Sequence, residues 1–318
     1  MRLASGQEAL VTRVLTEDGK AFFGFSLQLD AAEARHMAEW AAGARQNRPE
    51  YRPVLDHPWE KAFLSGKSIP WHCEPGFGQI HWLPEEETMG QMTSFKRPDG
   101  KSVQAYLAEA KGGAKAPGMV VIQEWWGLND QIKGVADKLA AAGYRALVPD
   151  LYRGKVAVEA KEAEHLMTNL NFGDAAGQDV RGAVQHLKSS GSAKVGVTGF
   201  CMGGALTLLA AVNVPEADAG VVWYGYPPLE YVDASKIQAP LLGHFATRDQ
   251  AFAIGKVDEL EKKLRGASVK FEFHRYDAKH AFANETADEK KLPIVQYDPA
   301  AAELAWRRTM EFLARHLR

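Results

Sequence analysis

The chain has 318 residues, of which 46% are hydrophobic and 25% charged, a composition typical of a globular protein with one large domain and a smaller one. Its 38 lysines and arginines nearly balance its 40 aspartates and glutamates, which argues against a nucleic-acid or anionic-membrane partner. The sequence shows neither a secretory signal pattern nor an apolar run of about 18 residues. We therefore expect a cytoplasmic protein that acts on a small molecule.

Residues 1–88 differ in composition from the rest of the chain and predict a small N-terminal α+β extension. The runs EALVTRVL and KAFFGFSLQ are typical of two strands, and a helix is predicted from Asp30 to about Ala42. The remainder of this extension is rich in proline, tryptophan and glycine and predicts an irregular segment. No motif in it indicates a reaction, so its role stays open.

Residues 89–318 predict an α/β domain with a doubly wound, mostly parallel sheet. A hairpin around RPDGK is expected to open the domain. The strand-like runs that follow are apolar throughout, as expected of parallel strands with helices on both faces. In chain order these runs are GMVVIQE, YRALVPD, AKVGVTG, AGVVWYG, PLLGHFA and VKFEFHRY.

Helices are predicted between these strands, and right-handed crossovers should place them on both faces of the sheet. They are expected at about 129–142, up to 187, after Cys201 and over IGKVDELEKKL. A last helix should begin with Asp298 as its N-cap and Pro299 in its first turn. The residues expected to face the sheet from this helix are Ala302, Trp306, Met310, Leu313 and Leu317.

The two cysteines, Cys73 and Cys201, are too few for a disulfide framework. His72, Cys73 and His81 could be interpreted as metal ligands, but they lack paired metal-site spacing, which favours a structural role. We therefore expect neither a metal nor an organic cofactor. A lone cysteine with histidine and aspartate elsewhere is the pattern of a candidate nucleophile, although most free cysteines are buried and inert.

The stretch GFCMGG places Cys201 between Gly199 and Gly203, at the junction of a predicted strand and a predicted helix. This is the pattern of a nucleophile elbow with sulfur in place of a serine hydroxyl. The glycines fit a turn so sharp that larger side chains would collide across it. The helix N-terminus that follows would favour a thiolate and, later, an oxyanion.

A nucleophilic cysteine needs a base and a group that orients the base, in the chain order nucleophile, acid, histidine. Asp249 follows the strand PLLGHFA, and His280 follows the strand VKFEFHRY, so both should lie at the ligand-binding edge of the sheet. His274 and Asp277 are weaker alternatives, because His274 falls within a strand and Asp277 is close to His280 in sequence. We predict a triad of Cys201, Asp249 and His280.

From about Thr93 to its C-terminus, the sequence resembles the dienelactone hydrolases, cysteine members of the α/β-hydrolase fold. The motifs that carry the resemblance are VVIQEWWGLND, VPDLYRG, GFCMGGAL, ATRDQAF and YDAKHAFAN. The resemblance implies the same triad and implies that Glu124 lies beside the thiol, keeps it neutral at rest and takes its proton when substrate arrives. It also implies that the amides of Met202 and Trp125 form the oxyanion hole.

The sequence departs from this family in its predicted pocket. The resemblance implies arginines that hold a substrate carboxylate, yet Asn284 stands at one of these positions, and Arg153 and His165 are weak candidates for the other. A weak anion clamp favours neutral lactones or aryl esters at least as much as acidic ones. The aromatic residues expected at the pocket are Trp125, Trp126, Tyr152, Phe200, Trp223 and Tyr224.

The sequence therefore predicts a hydrolase that opens a lactone or a small activated ester through a cysteinyl acyl-enzyme. The alternatives are a thiol-dependent acyl-transfer or thioesterase protein and a binding protein without turnover. The expected partner is the small-molecule substrate, with a homodimer as a further possibility.

Overall fold

The computed structural model describes residues 10–15, 21–26 and 90–318. Strands β1 (Leu10–Leu15) and β2 (Ala21–Ser26) pair antiparallel, so the two strands predicted near the N-terminus are present. The helix predicted from Asp30 and the residues His72, Cys73 and His81 lie outside the described residues.

The chain divides into two compact units, residues 1–87 and 88–318. Within residues 90–318 the strands form one eight-stranded sheet in the order β10-β9-β8-β7-β5-β6-β4-β3. All neighbours from β6 through β5 to β10 are parallel, whereas β3 and β4 form the predicted hairpin, and β4 pairs antiparallel with β6. The strands are β3 (Gln91–Lys96), β4 (Ser102–Ala108), β5 (Gly118–Ile122), β6 (Arg145–Pro149), β7 (Val195–Phe200), β8 (Ala219–Trp223), β9 (Leu241–Ala246) and β10 (Phe271–Tyr276).

Helices cover both faces of this sheet, as the apolar strand runs predicted. The main helices are α1 (Asp130–Ala141), α2 (Ala160–Thr168), α3 (Arg181–Ser189), α4 (Met202–Asn213), α5 (Ile254–Gly266) and α6 (Pro299–Leu317). Helices α1 and α6 share one apolar core on the first face, while α3, α4 and α5 pack on the second. A π-helical segment, Ala175–Val180, precedes α3 and was not predicted.

Local signals in the sequence account for the ends of two helices. The Asn129 side chain accepts a hydrogen bond from the Ile132 amide at 3.1 Å and caps α1. Asp298 accepts one from the Ala301 amide at 3.0 Å, with proline in the first turn of α6, as predicted. Four of the five residues predicted to face the sheet from α6 are buried, whereas Met310 is only partly buried at the core's margin.

The fold brings the carboxyl ends of β5 and β7 together in the middle of the sheet. Strand β5 pairs with β6 on one side and with β7 on the other, so the chain winds outward in both directions from β5. A crevice at such a switch point is where doubly wound sheets bind ligands. No helix in the described part of the chain is long and apolar enough to span a membrane.

Candidate active site

Cys201 occupies the sharp turn between β7 and α4. Its backbone has φ 55° and ψ −115°, a strained conformation for a residue with a side chain. The Cys201 amide donates to the Trp223 carbonyl at 3.0 Å, and the Cys201 carbonyl accepts from the Gly204 amide at 2.9 Å, which holds the turn in place. The thiol lies at the first turn of α4 and is partly exposed.

Three glycines allow this turn to pack closely. A Cβ atom at Gly203 would lie 2.5 Å from the Ile122 carbonyl oxygen, and one at Gly199 would collide with the Gly203 backbone. A Cβ at Gly225 would collide with the carbonyl of Cys201 itself. The motif predicted the first two constraints, whereas Gly225 lies after the next strand and only the tertiary contact shows its role.

Asp249 and His280 meet beside Cys201, each just past the end of its strand. The His280 Nδ1 atom lies 2.7 Å from the Asp249 Oδ2 atom, and both side chains are buried. The other carboxylate oxygen of Asp249 accepts from the amides of Ala251 and Phe252, each at 2.8 Å. Because Nδ1 is occupied by Asp249, the opposite edge of the imidazole is left to interact with Cys201, which lines the same pocket.

The surroundings of His280 favour its protonated form. Burial by itself lowers the pKa of this imidazole, but the negative charge of a Cys201 thiolate and the hydrogen bond with Asp249 raise the pKa to about 10. Its ring also stacks against Phe252 at a centroid distance of 5.5 Å and meets the edge of Tyr224 at 5.2 Å. These contacts fix the imidazole between the carboxylate and the thiol.

The two sequence alternatives to this pair have other contacts. His274 stacks on the buried His244, with ring centroids 6.0 Å apart. Asp277 is exposed and pairs with Arg248 at 2.8 Å.

Glu124 follows β5 and lines the same pocket as Cys201. Its two carboxyl oxygens accept from the Asn284 amide at 2.8 Å and from the Tyr224 hydroxyl at 3.3 Å. Burial raises the pKa of Glu124, and the charge of His280 and these two hydrogen bonds act in the opposite direction. Asn284 therefore faces the acidic residue beside the thiol and is 2% exposed.

The two backbone amides predicted to form the oxyanion hole belong to Met202 and Trp125, which lie at the start of α4 and just after β5. The Met202 amide is the first of α4 and has no acceptor within the helix. Trp125 directly follows Glu124 in a turn. The turn is closed by a hydrogen bond that the Gly127 amide donates to the Glu124 carbonyl at 3.3 Å. Trp125 lines the pocket together with Cys201.

The catalytic pocket is narrow, with a volume of about 10 Å³. Part of its wall comes from a 3-10 turn that spans residues Ala287–Lys290. The first and last residues of this turn line the pocket, as does Val295 in the segment that follows. The complete lining is Glu124, Trp125, Trp126, Cys201, His280, Ala281, Asn284, Ala287, Lys290 and Val295. Lys290 and Val295 were not predicted as pocket residues, because no recognisable motif marks this part of the chain.

Several residues predicted for the pocket lie elsewhere. Phe200 and Trp223 stack at 5.1 Å inside the core between the sheet and α6. Tyr152 is buried, and its hydroxyl donates a hydrogen bond to the Met202 sulfur at 3.3 Å. The Arg153 guanidinium pairs with the buried Asp179 at 2.8 Å and 2.9 Å. These four residues are absent from the lining of the catalytic pocket.

His165 is exposed on α2, where Asn169 donates to its backbone carbonyl at 2.8 Å. Among the residues that the structure describes, no group of three His, Cys, Asp or Glu side chains could hold a metal ion.

The winding of the sheet, the sharp turn after β7 and the chain order of cysteine, aspartate and histidine are those of the α/β-hydrolase class. Comparison with known proteins narrows this class. The chain belongs to the dienelactone hydrolase family, whose sequence model matches residues 103–317. It is therefore a hydrolase that acts on esters, as the resemblance implied.

Two similar proteins show how much of the chain this relationship covers. "Protein usf" from Aquifex pyrophilus is 36% identical over 240 residues, which span 72% of this chain and all of the relative. A protein from Escherichia coli K12 named "Putative carboxymethylenebutenolidase" is 30% identical over 262 residues, or 77% of this chain and 93% of the relative.

Solved structures agree with this assignment. The crystal structure of "Putative Dienelactone Hydrolase" from Klebsiella pneumoniae is 25% identical, with a TM-score of 0.64, and the match covers 73% of this chain and all of that one. A "Dienelactone Hydrolase-like" phosphotriesterase from metagenomic libraries has the same fold, with a TM-score of 0.63 and 24% sequence identity. The match covers 72% of this chain and all of that one.

Proposed function

We propose that the chain hydrolyses lactones or small activated esters through a thioester on Cys201. The observation that carries this proposal is the His280–Asp249 pair, with the imidazole held against a cysteine on a strained turn. A thiolate paired with an imidazolium is a nucleophile that is ready to attack a carbonyl carbon.

In the first half of the proposed reaction, the Cys201 sulfur forms a bond to the carbonyl carbon. The negative charge moves to the carbonyl oxygen, which the amides of Met202 and Trp125 would stabilise. When the carbonyl re-forms, the bond to the leaving oxygen breaks, and His280 gives its proton to that oxygen. The products of this step are a thioester and an alcohol, or an opened ring that carries its own hydroxyl.

In the second half, His280 takes a proton from water, and the resulting hydroxide attacks the thioester carbonyl. Collapse of this second tetrahedral intermediate breaks the carbon–sulfur bond, releases the carboxylic acid and restores the thiolate. Asp249 keeps the imidazole oriented in both halves. Burial raises the pKa of Glu124, so this acid is suited to give its proton to the Cys201 thiolate between turnovers and, as the resulting carboxylate, to take the proton back when substrate arrives.

The test is to replace Cys201 by alanine and measure hydrolysis over a panel of aryl esters and lactones. We expect kcat to fall by about 10³-fold or more, because removing one member of a cooperating triad disables the whole unit. Cys73→Ala is the matched control and should retain wild-type activity. Full activity in Cys201→Ala would exclude the proposal.

Covalent chemistry at the sulfur can be tested separately. Iodoacetamide should alkylate Cys201 in preference to Cys73, and a substrate with slow deacylation should leave an acyl group on the Cys201 peptide in a mass spectrum. Hydroxylamine should remove that group if it is a thioester. Turnover with acylation of another residue would contradict the mechanism.

A further inference from the structure

The catalytic pocket contains a cation in a place that no motif indicated. Among the described residues that line it, Lys290 carries the one lysine or arginine side chain. Its ammonium lies over the ring of Trp126, 4.1 Å from the centroid. Within residues 90–318 it takes part in no ion pair. A cation–π contact of this kind is weak enough for a charged acceptor to replace it.

Arg153 and Asn284, the other residues that could bind a substrate anion, already form hydrogen bonds within the protein. The Arg153 guanidinium forms two hydrogen bonds with Asp179 and one with the Asp150 carbonyl at 2.7 Å. The Asn284 amide donates to Glu124 beside the thiol. Binding a substrate anion at either position would break these hydrogen bonds, whereas Lys290 would give up a single ring contact.

The backbone around Lys290 is fixed next to the catalytic histidine. The segment after the 3-10 turn returns to His280, where the Gln296 amide donates to the His280 carbonyl at 3.1 Å. The Tyr297 amide donates to Asp288 inside the turn at 3.2 Å. These bonds fix the backbone at the base of the Lys290 side chain, whose ammonium contacts the ring of Trp126.

The 3-10 turn separates two cavities. Residues three apart lie on the same side of a 3-10 turn. Ala287 and Lys290 accordingly face the catalytic pocket, while Asp288 and Lys291 line an outer groove of about 320 Å³. Two adjacent lysines thus have different surroundings, and only the first is close to Cys201.

We propose that Lys290 is a specificity-determining residue that binds a negatively charged substituent of the substrate. This inference rests on the proposed ester hydrolysis. It adds that the preferred ester carries a negative charge. A substituent of this kind would replace Trp126 as the partner of the ammonium and draw the ester toward Cys201. The sequence-based expectation that neutral esters are hydrolysed at least as well as acidic ones rested on Asn284, Arg153 and His165 and did not include this lysine.

The experiment compares charged and neutral esters of similar shape. One pair is phenyl hydrogen glutarate and its methyl ester, with the charge on the acyl side. The other is 4-carboxyphenyl acetate and its methyl ester, with the charge on the leaving group. The measured quantity is the ratio of kcat/KM for the anionic and the neutral member. Comparing this ratio between variants removes the intrinsic reactivity of the esters.

We expect Lys290→Gln to lower this ratio in at least one pair by about tenfold, which corresponds to ~1.4 kcal/mol. Lys290→Arg should keep the ratio near that of the wild type, because it keeps the charge. Lys291→Gln removes the same charge on the other side of the turn and should also leave the ratio unchanged. The neutral esters report whether each variant is folded and active.

Two failures are distinguishable. If Lys290→Gln leaves both ratios unchanged while hydrolysis still depends on Cys201, the role of Lys290 is refuted and the proposed function stands. An equal fall of the ratio in Lys291→Gln would also refute it, since a general effect of surface charge would then explain the preference. If none of the esters is hydrolysed in a Cys201-dependent manner, the proposed function itself is wrong.

Discussion

At the scale of single residues, the site depends on charges that are close together and shielded from water. Burial alone would keep His280 neutral, yet its two acidic neighbours raise its pKa to about 10. Glu124 has only neutral hydrogen-bond donors, so burial remains the largest influence on its pKa. Both shifts favour the protonated form, which carries a positive charge in His280 and is neutral in Glu124.

Asp249→Asn tests the origin of the raised pKa of His280. The substitution removes a negative acceptor, so the pKa of the imidazole should fall. In the wild type, kcat/KM should decline as the pH rises through about 10, when the imidazolium loses its proton. In Asp249→Asn the decline should move to lower pH, and kcat should drop by about 10³-fold or more.

The matched control is Asp277→Asn, an exposed aspartate that pairs with Arg248 near His280. Its pH profile should be that of the wild type. If both variants shift the alkaline decline of kcat/KM by the same amount, the pKa of His280 is set by the total negative charge nearby. The direct contact with Asp249 would then not be its cause.

At the scale of elements, the site requires that α4 approach the sheet very closely. Residues Met202–Val212 of α4 are all buried, between the sheet and the helices on the second face. Gly203 lies against the backbone of β5, so the helix can start directly above the neighbouring strand. This contact brings the Met202 amide, the sulfur and the chain after β5 into one small volume.

Gly203→Ala should separate α4 from β5, because the added methyl would lie 2.5 Å from the Ile122 oxygen and 2.7 Å from the Gln123 oxygen. We expect a loss of about 1–3 kcal/mol in the free energy of unfolding, measured in urea, together with a loss of ester hydrolysis. Gly255→Ala in α5 is the control, since a Cβ there meets no atom within 4 Å. It should be neutral or slightly stabilising. Wild-type stability and activity in Gly203→Ala would contradict this account of the turn.

At the scale of the whole molecule, every residue of the candidate site belongs to the unit of residues 88–318. That unit contains the complete eight-stranded sheet and the apolar cores on both of its faces. The relative from Aquifex pyrophilus is matched over its full length by 72% of this chain. The unit therefore has what an independently folding hydrolase needs.

A chain that starts at Thr88 should fold and retain Cys201-dependent hydrolysis of the same esters. Its thermal unfolding should remain cooperative, because its cores are complete. The measurement is kcat/KM beside a melting curve, with Cys201→Ala in the same truncated chain as the control. An inactive but folded fragment would show that residues 1–87 contribute to the site.

The sequence by itself determined the order of strands and helices and the three residues that meet at the site. Continuous apolar runs reveal buried parallel strands, and caps such as Asn129 and Asp298 are local signals that act over three or four residues. The positions of Cys201, Asp249 and His280 followed from a simple rule, since the carboxyl ends of parallel strands lie at one edge of the sheet. The π-helical segment before α3 gave no such local signal.

Only the tertiary structure decided which side chains reach the pocket. Phe200, Trp223 and Arg153 stand at strand ends or just beyond them, but which way each side chain faces depends on the pairing of distant strands and helices. The partner of Asn284 is Glu124, 160 positions away in sequence. Lys290 belongs to a polar stretch whose composition predicts only an exposed segment. Its place in the wall of the catalytic pocket arises because the chain after Lys290 returns to His280, a long-range arrangement that local periodicity does not encode.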